Sequence, residues 1–236
     1  MKGVILAAGK GTRLDPLTRI INKQMLPVYD RPMIDYPIQK LKEAGIDDIA
    51  IVIDKENYDL FHKYLGQDYT YLFQNPHKQG IAQAVLASEK FIGNSKFIVH
   101  LGDQIYEDSI KRFAEEFDKS DLGCKLLLKE TGDQARYHTV AYVKGENIID
   151  LIEKPNVDNG LTMVGIYAFT PKIFEYIRSV RKSERLEYEI CDAIKDMLIK
   201  DKNVGYNILD GQWIDAGTFD NLYLASRLIK NKRWLE

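Results

Sequence analysis

The chain begins Met1-Lys2-Gly3-Val4-Ile5-Leu6-Ala7-Ala8-Gly9-Lys10-Gly11-Thr12-Arg13-Leu14, where an apolar run passes directly into a short loop with two glycines. The apolar run predicts a buried strand. Because glycine has no Cβ, the backbone N–H groups of such a loop can converge on an anion. Arg13 and the nearby Lys23 would neutralise further negative charge. The stretch therefore predicts a polyphosphate site after the first strand, although a tight turn explains such a loop about as often as a ligand does.

Two commoner nucleotide motifs do not fit this loop. A dinucleotide-binding fingerprint requires a third glycine where Leu14 stands, and a P-loop requires Gly-Lys-Ser/Thr after a four-residue gap. The loop therefore indicates a phosphate site of another kind.

Short β-branched runs alternate with amphipathic segments through the first half of the chain, which predicts βα units around a parallel sheet. After residue 120 several strands follow one another without long helices, so part of the sheet should be mixed or antiparallel. No Pro/Gly/Ser-rich linker divides the chain, and we expect one α/β domain over residues 1–236. Strands are predicted at 3–6, 49–53, 69–73, 97–101, 125–128, 139–143, 148–152, 163–169, 204–208 and 213–215, and helices at 32–42, 58–65, 81–91, 109–117, 171–178, 188–200 and 219–230.

Composition narrows the function classes. The 236 residues carry a formal net charge of −2 and no dense Lys/Arg block, so nucleic acid is not an expected partner. No apolar stretch has the length of a membrane span or a signal peptide, which predicts a cytoplasmic protein with no membrane partner. Cys124 and Cys191 lack CxxC spacing, so both are predicted to be free thiols.

Two aspartates each end an apolar run. Asp103 closes Val99-His100-Leu101-Gly102-Asp103, and Asp215 follows Trp213-Ile214. If the two carboxylates meet beside a phosphate loop, they form the minimum protein ligand set for Mg²⁺, which keeps waters and shares substrate phosphates. For each aspartate alone, a role in a turn or helix cap remains an alternative.

Further polar groups follow predicted strands. Glu153 and Lys154 directly precede Pro155. A carboxylate that accepts from hydroxyl groups, beside an ammonium that meets a phosphate, would suit a sugar phosphate. The alternative for this pair is a solvated turn. Gln74 could pair with a nucleobase edge, or could lie in an ordinary loop. Arg136 and Arg185 could contact phosphate, although exposed arginines are common.

The order of these elements resembles the sugar-1-phosphate nucleotidyltransferases nearly from end to end, most closely the members that join glucose 1-phosphate to dTTP. The motifs that carry the resemblance are residues 6–14, Lys23-Gln24-Met25-Leu26-Pro27-Val28, Leu101-Gly102-Asp103, Glu153-Lys154-Pro155, Val164-Gly165-Ile166-Tyr167 and Trp213-Ile214-Asp215-Ala216-Gly217-Thr218. The resemblance implies a Rossmann-like fold of the nucleotide-diphospho-sugar transferase type, with a mixed, mostly parallel central sheet flanked by helices. It also implies a nucleotide-binding part at about 1–120 and a sugar-phosphate-binding part at about 121–236.

The resemblance assigns roles residue by residue. Arg13 and Lys23 would be catalytic, and Asp103 and Asp215 would hold Mg²⁺. The nucleotide would meet Leu6, Ala8, Gly9, Gly11, Thr12, Arg13, Gln74, Gly80 and Gly102. The sugar phosphate would meet Glu153, Lys154, Gly165, Tyr167 and Arg185.

Four positions depart from the family pattern. The loop after Gln74 is one residue longer, which leaves the choice of base open. His138 stands where a glycine is usual, which leaves the hexose open. Gln104 replaces an asparagine, and Leu186 replaces the glycine after Arg185. None of these changes removes a predicted metal ligand or phosphate cation.

The implied reaction is in-line attack by the phosphate oxygen of a hexose 1-phosphate on the α-phosphorus of dTTP or UTP, giving a sugar nucleotide, dTDP-sugar with dTTP, and pyrophosphate. A phosphate monoester is already largely ionised at neutral pH, so no general base is required. Two alternatives remain: a family member with another substrate pair, and a non-catalytic protein that binds a sugar nucleotide. Apolar residues in segment 223–234 would serve a homo-oligomer or pack on the chain's own sheet.

Overall fold

The structure is a computed structural model that describes the backbone of residues 1–233 and the side chains of residues 1–231. The strands are β1 Lys2–Leu6, β2 Pro27–Val28, β3 Arg31–Pro32, β4 Ile49–Ile53, β5 Thr70–Phe73, β6 Phe97–Leu101, β7 Gln104–Tyr106, β8 Cys124–Thr131, β9 Thr139–Lys144, β10 Asn147–Glu153, β11 Gly160–Phe169, β12 Val204–Ile208 and β13 Trp213–Asp215. The α-helices are α1 Asp35–Glu43, α2 Tyr58–Leu65, α3 Ile81–Leu86, α4 Glu89–Ile92, α5 Lys111–Lys119, α6 Ile173–Ser179, α7 Ile190–Asp201 and α8 Phe219–Arg233. Among residues 1–233, every helix is too short or too polar to span a bilayer.

A mixed central sheet organises the molecule. Strands β6, β1, β4 and β5 lie side by side and parallel. Beyond β6 the sheet continues through β11, which pairs antiparallel with β6, β8 and β9. Strand β10 pairs antiparallel with β9, and β12 pairs parallel with β8. The predicted α/β fold with a mixed sheet flanked by helices is confirmed.

Strand β11 changes its neighbours along its length. Its first half pairs with β9, its second half pairs with β6, and the register on β8 shifts between Met163 and Tyr167. Gly165 lies at this shift with φ +82°, and a Cβ there would stand 2.8 Å from Cγ of Gln104. Glycine is therefore required where β11 changes its neighbours, and this position also lines a cleft.

Helices bury both faces of the sheet. Because strand side chains alternate, Val4 and Leu6 of β1 join the core that α3, α4, α6 and α7 cover, whereas Ile5 joins the core under α1, α2 and α5. A smaller third core packs α8 against β2, β7 and the segment after β13. Cys124 and Cys191 are buried and free, as predicted.

Several predicted elements differ from the structure. Helix α1 begins at Asp35 rather than at Pro32, because Pro32 pairs with Pro27 in the hairpin of β2 and β3. The helix predicted at 81–91 is divided into α3 and α4 by a turn at residues 87 and 88, where the buried Ser88 hydroxyl donates to the carbonyl of Val85 at 2.7 Å. The short strands β2, β3 and β7 were not predicted.

Candidate active site

A cleft of about 820 Å³ opens at the carboxyl ends of β1 and β6, where open α/β sheets bind ligands. All predicted site residues except Gly102 line it. Gly102 is buried and its N–H donates to the carbonyl of Leu6 at 2.9 Å. A Cβ at Gly102 would stand 2.8 Å from that same oxygen. Gly102 therefore holds β6 against the end of β1 rather than facing the cleft.

The glycine loop follows β1 and closes over Lys23. Gly11 has φ +60°, and a Cβ at this position would stand 2.8 Å from Cγ2 of Thr18 and 3.1 Å from Cβ of Lys23. Both the backbone conformation and the packing therefore require glycine here. The Thr18 hydroxyl donates to the carbonyl of Gly11 at 3.0 Å, which fixes the far side of the loop.

Lys23 and Asp103 form an ion pair in the floor of the cleft. Nζ of Lys23 lies 2.5 Å from Oδ2 of Asp103, while Nε2 of Gln104 donates to Oδ1 of Asp103 at 3.0 Å. Burial alone would raise the pKa of Asp103, but Lys23 outweighs it and the pKa of this carboxyl lies below its usual value. Asp103 is therefore held as a carboxylate.

Asp215 stands beside Asp103 because β13 pairs with β7. In this pairing Asp215 is opposite Gln104, and the N–H of Ala216 donates to the carbonyl of Asp103 at 2.9 Å. Arg13 approaches Oδ2 of Asp215 at 3.6 Å. Burial and the neighbouring Asp103 raise the pKa of Asp215 above its usual value. Asp215 thus lies next to Asp103, and Arg13 offsets the negative charge of Asp215 only in part.

This carboxylate pair fits a divalent cation. Hard cations prefer carboxylate oxygens, and Mg²⁺ needs only one or two from the protein when phosphates and waters complete its shell. Within the part of the chain that the structure describes, no group of three or more His, Cys, Asp or Glu residues could hold a metal. The donor set therefore suits a cation shared with a bound substrate, not a closed structural site.

The other end of the cleft carries Glu153, Lys154 and Arg185. The Thr139 hydroxyl donates to Oε2 of Glu153, and Arg185 lies 3.3 Å from Oε1. Lys154 has φ +46°, in the left-handed region, and its N–H donates to the carbonyl of His138 at 3.1 Å. This conformation is unfavourable for a residue with a side chain and persists where the surroundings fix it, as at many functional sites.

Arg185 is held by three carboxylates. Besides Glu153 it pairs with Glu187 at 2.9 Å and with Glu189 at 3.1 Å. Burial opposes the charged form, but these neighbours outweigh it and raise the pKa of Arg185. Glu187 and Glu189 were not predicted in the cleft. Arg185 lies in a turn, with φ +62° at Leu186, and this turn brings the two carboxylates to Arg185 without any regular alternation that could have predicted them. Arg136 does not line the cleft and pairs with Asp158.

The loop after Gln74 joins the two ends of the cleft. Nε2 of the buried Gln74 donates to the carbonyls of Lys78 and Gly80 at 3.1 and 3.3 Å, while its Oε1 has no partner among residues 1–231. The N–H of Tyr188, just before α7, donates to the carbonyl of Gln79 at 2.9 Å. An acceptor oxygen therefore remains for a ligand, in a loop fastened to the segment that carries Arg185.

His138 and Trp213 complete the middle of the cleft. Their rings meet edge to face with centroids 5.0 Å apart. Burial lowers the pKa of His138, although Asp215 and Glu153 favour its charged form. In the sequence, His138 stands out only as a departure from the family pattern, and Trp213 was not predicted in the site. The contact between them joins residues far apart in the chain and leaves no local signal.

Comparison with known proteins gives consistent matches over almost the whole chain. Residues 2–232 match the family described as nucleotidyl transferase. The low-salt glycan biosynthesis nucleotidyltransferase of Haloferax volcanii is 32% identical over 100% of this chain and 68% of its own length. A glucose-1-phosphate thymidylyltransferase of Neisseria gonorrhoeae is 34% identical over 98% of this chain and 83% of its own.

Solved structures agree in fold. A Bacillus anthracis protein in complex with a sucrose, provisionally described as a glucose-1-phosphate thymidylyltransferase, superposes with a TM-score of 0.88 at 38% identity, over 98% of this chain and 96% of that one. A UDP-glucose pyrophosphorylase complexed with UDP-glucose superposes with a TM-score of 0.85 at 26% identity, over 98% of both chains.

Proposed function

Because the chain belongs to the nucleotidyl transferase family, in which its relatives are sugar-1-phosphate nucleotidyltransferases, we propose that it joins glucose 1-phosphate to dTTP and releases pyrophosphate. One observation carries the proposal: a single cleft holds two cations and two carboxylates at one end and a second carboxylate–cation group at the other. The first group suits a triphosphate, and Glu153, Lys154 and Arg185 suit a sugar phosphate. Such a cleft can bring two phosphorylated substrates into contact.

The chemistry needs positioning more than proton transfer. The phosphate of the sugar is a nucleophile that is already largely ionised at neutral pH. Lys154 and Arg185 would hold it, and Glu153 would accept from sugar hydroxyl groups. The remaining barrier comes from bringing two anions together in line, which fixed cations reduce.

Arg13 and Lys23 stabilise charge on the triphosphate in this account. Both line the cleft beside the glycine loop, whose backbone N–H groups would bind phosphate oxygens. As the bond to pyrophosphate breaks, negative charge grows on the leaving group, and preorganised cations at that point lower the barrier. Lys23 would move from Asp103 toward the triphosphate when substrate binds.

Asp103 and Asp215 would hold Mg²⁺. When bound there, the ion would neutralise phosphate charge and help to orient the α-phosphate. The raised pKa of Asp215 supports this assignment, since a cation beside the pair would relieve the repulsion between the two carboxylates. Gln74 and Gly80 would meet the base, and Tyr167 and Gly165 would line the sugar end.

A substrate matrix tests the proposal. Pyrophosphate release is measured with dTTP, UTP, ATP, CTP and GTP, each against glucose 1-phosphate, other hexose 1-phosphates and amino-sugar 1-phosphates, with Mg²⁺. We expect the highest kcat/KM with dTTP and glucose 1-phosphate. A higher kcat/KM with UTP than with dTTP would instead indicate a UDP-glucose pyrophosphorylase. Tight binding of a sugar nucleotide without pyrophosphate release would indicate a non-catalytic binding protein.

A homo-oligomer stays a prediction. Helix α8 exposes Tyr223 and Leu224, with 63% and 44% of their surfaces accessible; the part of the predicted segment that contains Trp234 lies outside the described residues. Sedimentation velocity over a tenfold concentration range would detect self-association. The cytoplasmic location likewise stays a prediction.

A further inference from the structure

His138 stands inside the cleft between its two charged groups. It lines the same cleft as Asp215 and Glu153, and both carboxylates act electrostatically on its ring. Within residues 1–231, neither nitrogen of its ring has a hydrogen-bond partner. A half-buried imidazole thus presents unused polar atoms where substrates would meet.

The backbone of His138 is held by two hydrogen bonds, and its ring is held by one aromatic contact. The N–H of His138 donates to the carbonyl of Ala135 at 3.2 Å, and its carbonyl accepts from the N–H of Lys154 at 3.1 Å. The ring packs against Trp213 at an interplanar angle of 66°. The indole is fixed in turn, because its Nε1 donates to Oε1 of Gln104 at 2.7 Å. A ring held in this way loses little conformational freedom when it binds a ligand.

The same short segment also orients Glu153. Thr139 follows His138 directly, and its hydroxyl donates to Oε2 of Glu153. The ring of His138 and the hydroxyl that orients Glu153 therefore belong to consecutive residues. In the proposed reaction the lysines and arginines of the cleft meet the phosphates and Gln74 meets the base. The hydroxyl groups of the sugar, which Glu153 would meet, are therefore within the region that His138 can reach.

We propose that His138 is a specificity-determining residue whose imidazole hydrogen-bonds one hydroxyl group of the bound sugar. A neutral imidazole has one donor and one acceptor nitrogen, which suits a hydroxyl group because it both donates and accepts. The inference rests on the proposed function, since it requires a sugar 1-phosphate beside Glu153 and Lys154. It adds that His138 selects the configuration at one sugar carbon.

The first test observes binding directly. The chain has four histidines, and His138 alone of these lines the cleft that the structure describes. In ¹³C-histidine-labelled protein, assigned with His138→Phe, we expect the His138 signal to shift when glucose 1-phosphate is added, with the other three unchanged. The ³¹P signal of the ligand reports binding independently. If glucose 1-phosphate binds and the His138 signal does not shift, the role of His138 is overturned and the proposed function is not. If no sugar phosphate binds or is turned over, the proposed function is overturned as well.

The second test uses kinetics. His138→Phe keeps an aromatic ring against Trp213 and removes both nitrogens. We expect kcat/KM for the preferred sugar 1-phosphate to fall about 10-fold, with an unchanged value for the deoxy analogue that lacks the contacted hydroxyl and an unchanged KM for the nucleotide. An equal fall for every sugar in a deoxy and epimer series, or no fall, contradicts the proposal. His62→Phe is the matched control, because His62 stacks on Tyr58 outside the cleft and should keep wild-type ratios.

Discussion

Nζ of Lys23 lies 2.5 Å from Oδ2 of Asp103, and both side chains are largely withdrawn from solvent. The ammonium of Lys23 therefore pairs with a carboxylate oxygen that a divalent cation would bind. We propose that this contact is exchanged on substrate binding: Lys23 would turn to the triphosphate, and Asp103 would become available to the cation. Until then the ion pair holds the pKa of Asp103 below its usual value and keeps both side chains in place.

Replacing Lys23 should separate its two roles. We expect Lys23→Ala to lower kcat by about 100-fold or more, because a preorganised cation at the leaving group is lost. The same variant should bind Mn²⁺ more tightly without nucleotide, as measured by electron paramagnetic resonance, since Asp103 no longer has a competing ammonium. Lys63→Ala, an exposed change on α2, is the control. An unchanged kcat in Lys23→Ala would exclude the catalytic role.

Asp215→Asn should abolish Mg²⁺-dependent turnover, because an amide is a much poorer ligand for a hard cation than a carboxylate. Folding should be preserved, since the amide oxygen can still accept from the N–H of Gly217, as Oδ1 does now at 3.0 Å. We expect an unfolding temperature equal to or above that of the wild type, because the repulsion from Asp103 is removed. The measurement is pyrophosphate release over a Mg²⁺ titration, with exposed Asp210→Asn as control; wild-type activity in Asp215→Asn would refute the metal assignment.

Arg185→Ala should act on the sugar phosphate and not on the nucleotide. Hydrogen bonds to charged groups contribute about 1.5–3 kcal/mol, so KM for the sugar 1-phosphate should rise by about 10-fold or more. KM for the nucleoside triphosphate should stay within a factor of about two of wild type. Arg181→Ala removes an exposed arginine nearby and should change neither constant. Equal increases in both KM values would contradict a local role for Arg185.

His100 should make folding stability depend on pH. It is fully buried in β6, its Nε2 has no partner among the described residues, and burial lowers its pKa from 6.5 to about 4. Between these values the unfolded chain binds a proton that the folded chain does not, so stability is complete above pH 6.5 and falls as the pH drops toward 4.

The expected loss from His100 over this interval is about 3 kcal/mol. Urea unfolding of the wild type and of His100→Leu at pH 7 and pH 4.5 measures it. The variant should lose less stability than the wild type between the two pH values, whatever its stability at pH 7. Equal losses in the two proteins would show that His100 does not contribute.

The fold was largely predictable because most of its elements are set by local patterns. The run before Gly9 is apolar on both faces, as an interior parallel strand requires, and the helices carry regular amphipathic patterns. Strand β7 was not predictable in this way. It has three residues and exists because it pairs with β13, and the bond between Trp213 and Gln104 spans 109 positions. Strands this short depend on tertiary pairing more than on their own sequence.

The candidate site was predictable in its residues but not in its contacts. The family resemblance, confirmed by the comparisons, named Lys23, Asp103 and Glu153; it could not show that Lys23 binds Asp103, 80 positions away. Three groups went unrecognised as part of the cleft: the Thr139 hydroxyl, Trp213 and the carboxylates around Arg185. The first two acquire their places through packing between separate segments, and the carboxylates through the turn that contains Arg185. A linear motif records neither.

The reaction proposed for this protein is attack by the phosphate of a sugar 1-phosphate on the α-phosphorus of a nucleoside triphosphate. The most direct measurement is a ³¹P NMR time course of the wild-type protein with Mg²⁺, dTTP and glucose 1-phosphate. We predict loss of the triphosphate signals with the appearance of inorganic pyrophosphate and two coupled diphosphate signals of a sugar nucleotide, in a one-to-one ratio. Release of inorganic phosphate with a nucleoside diphosphate, or unchanged spectra with every nucleoside triphosphate and hexose 1-phosphate, would contradict the account.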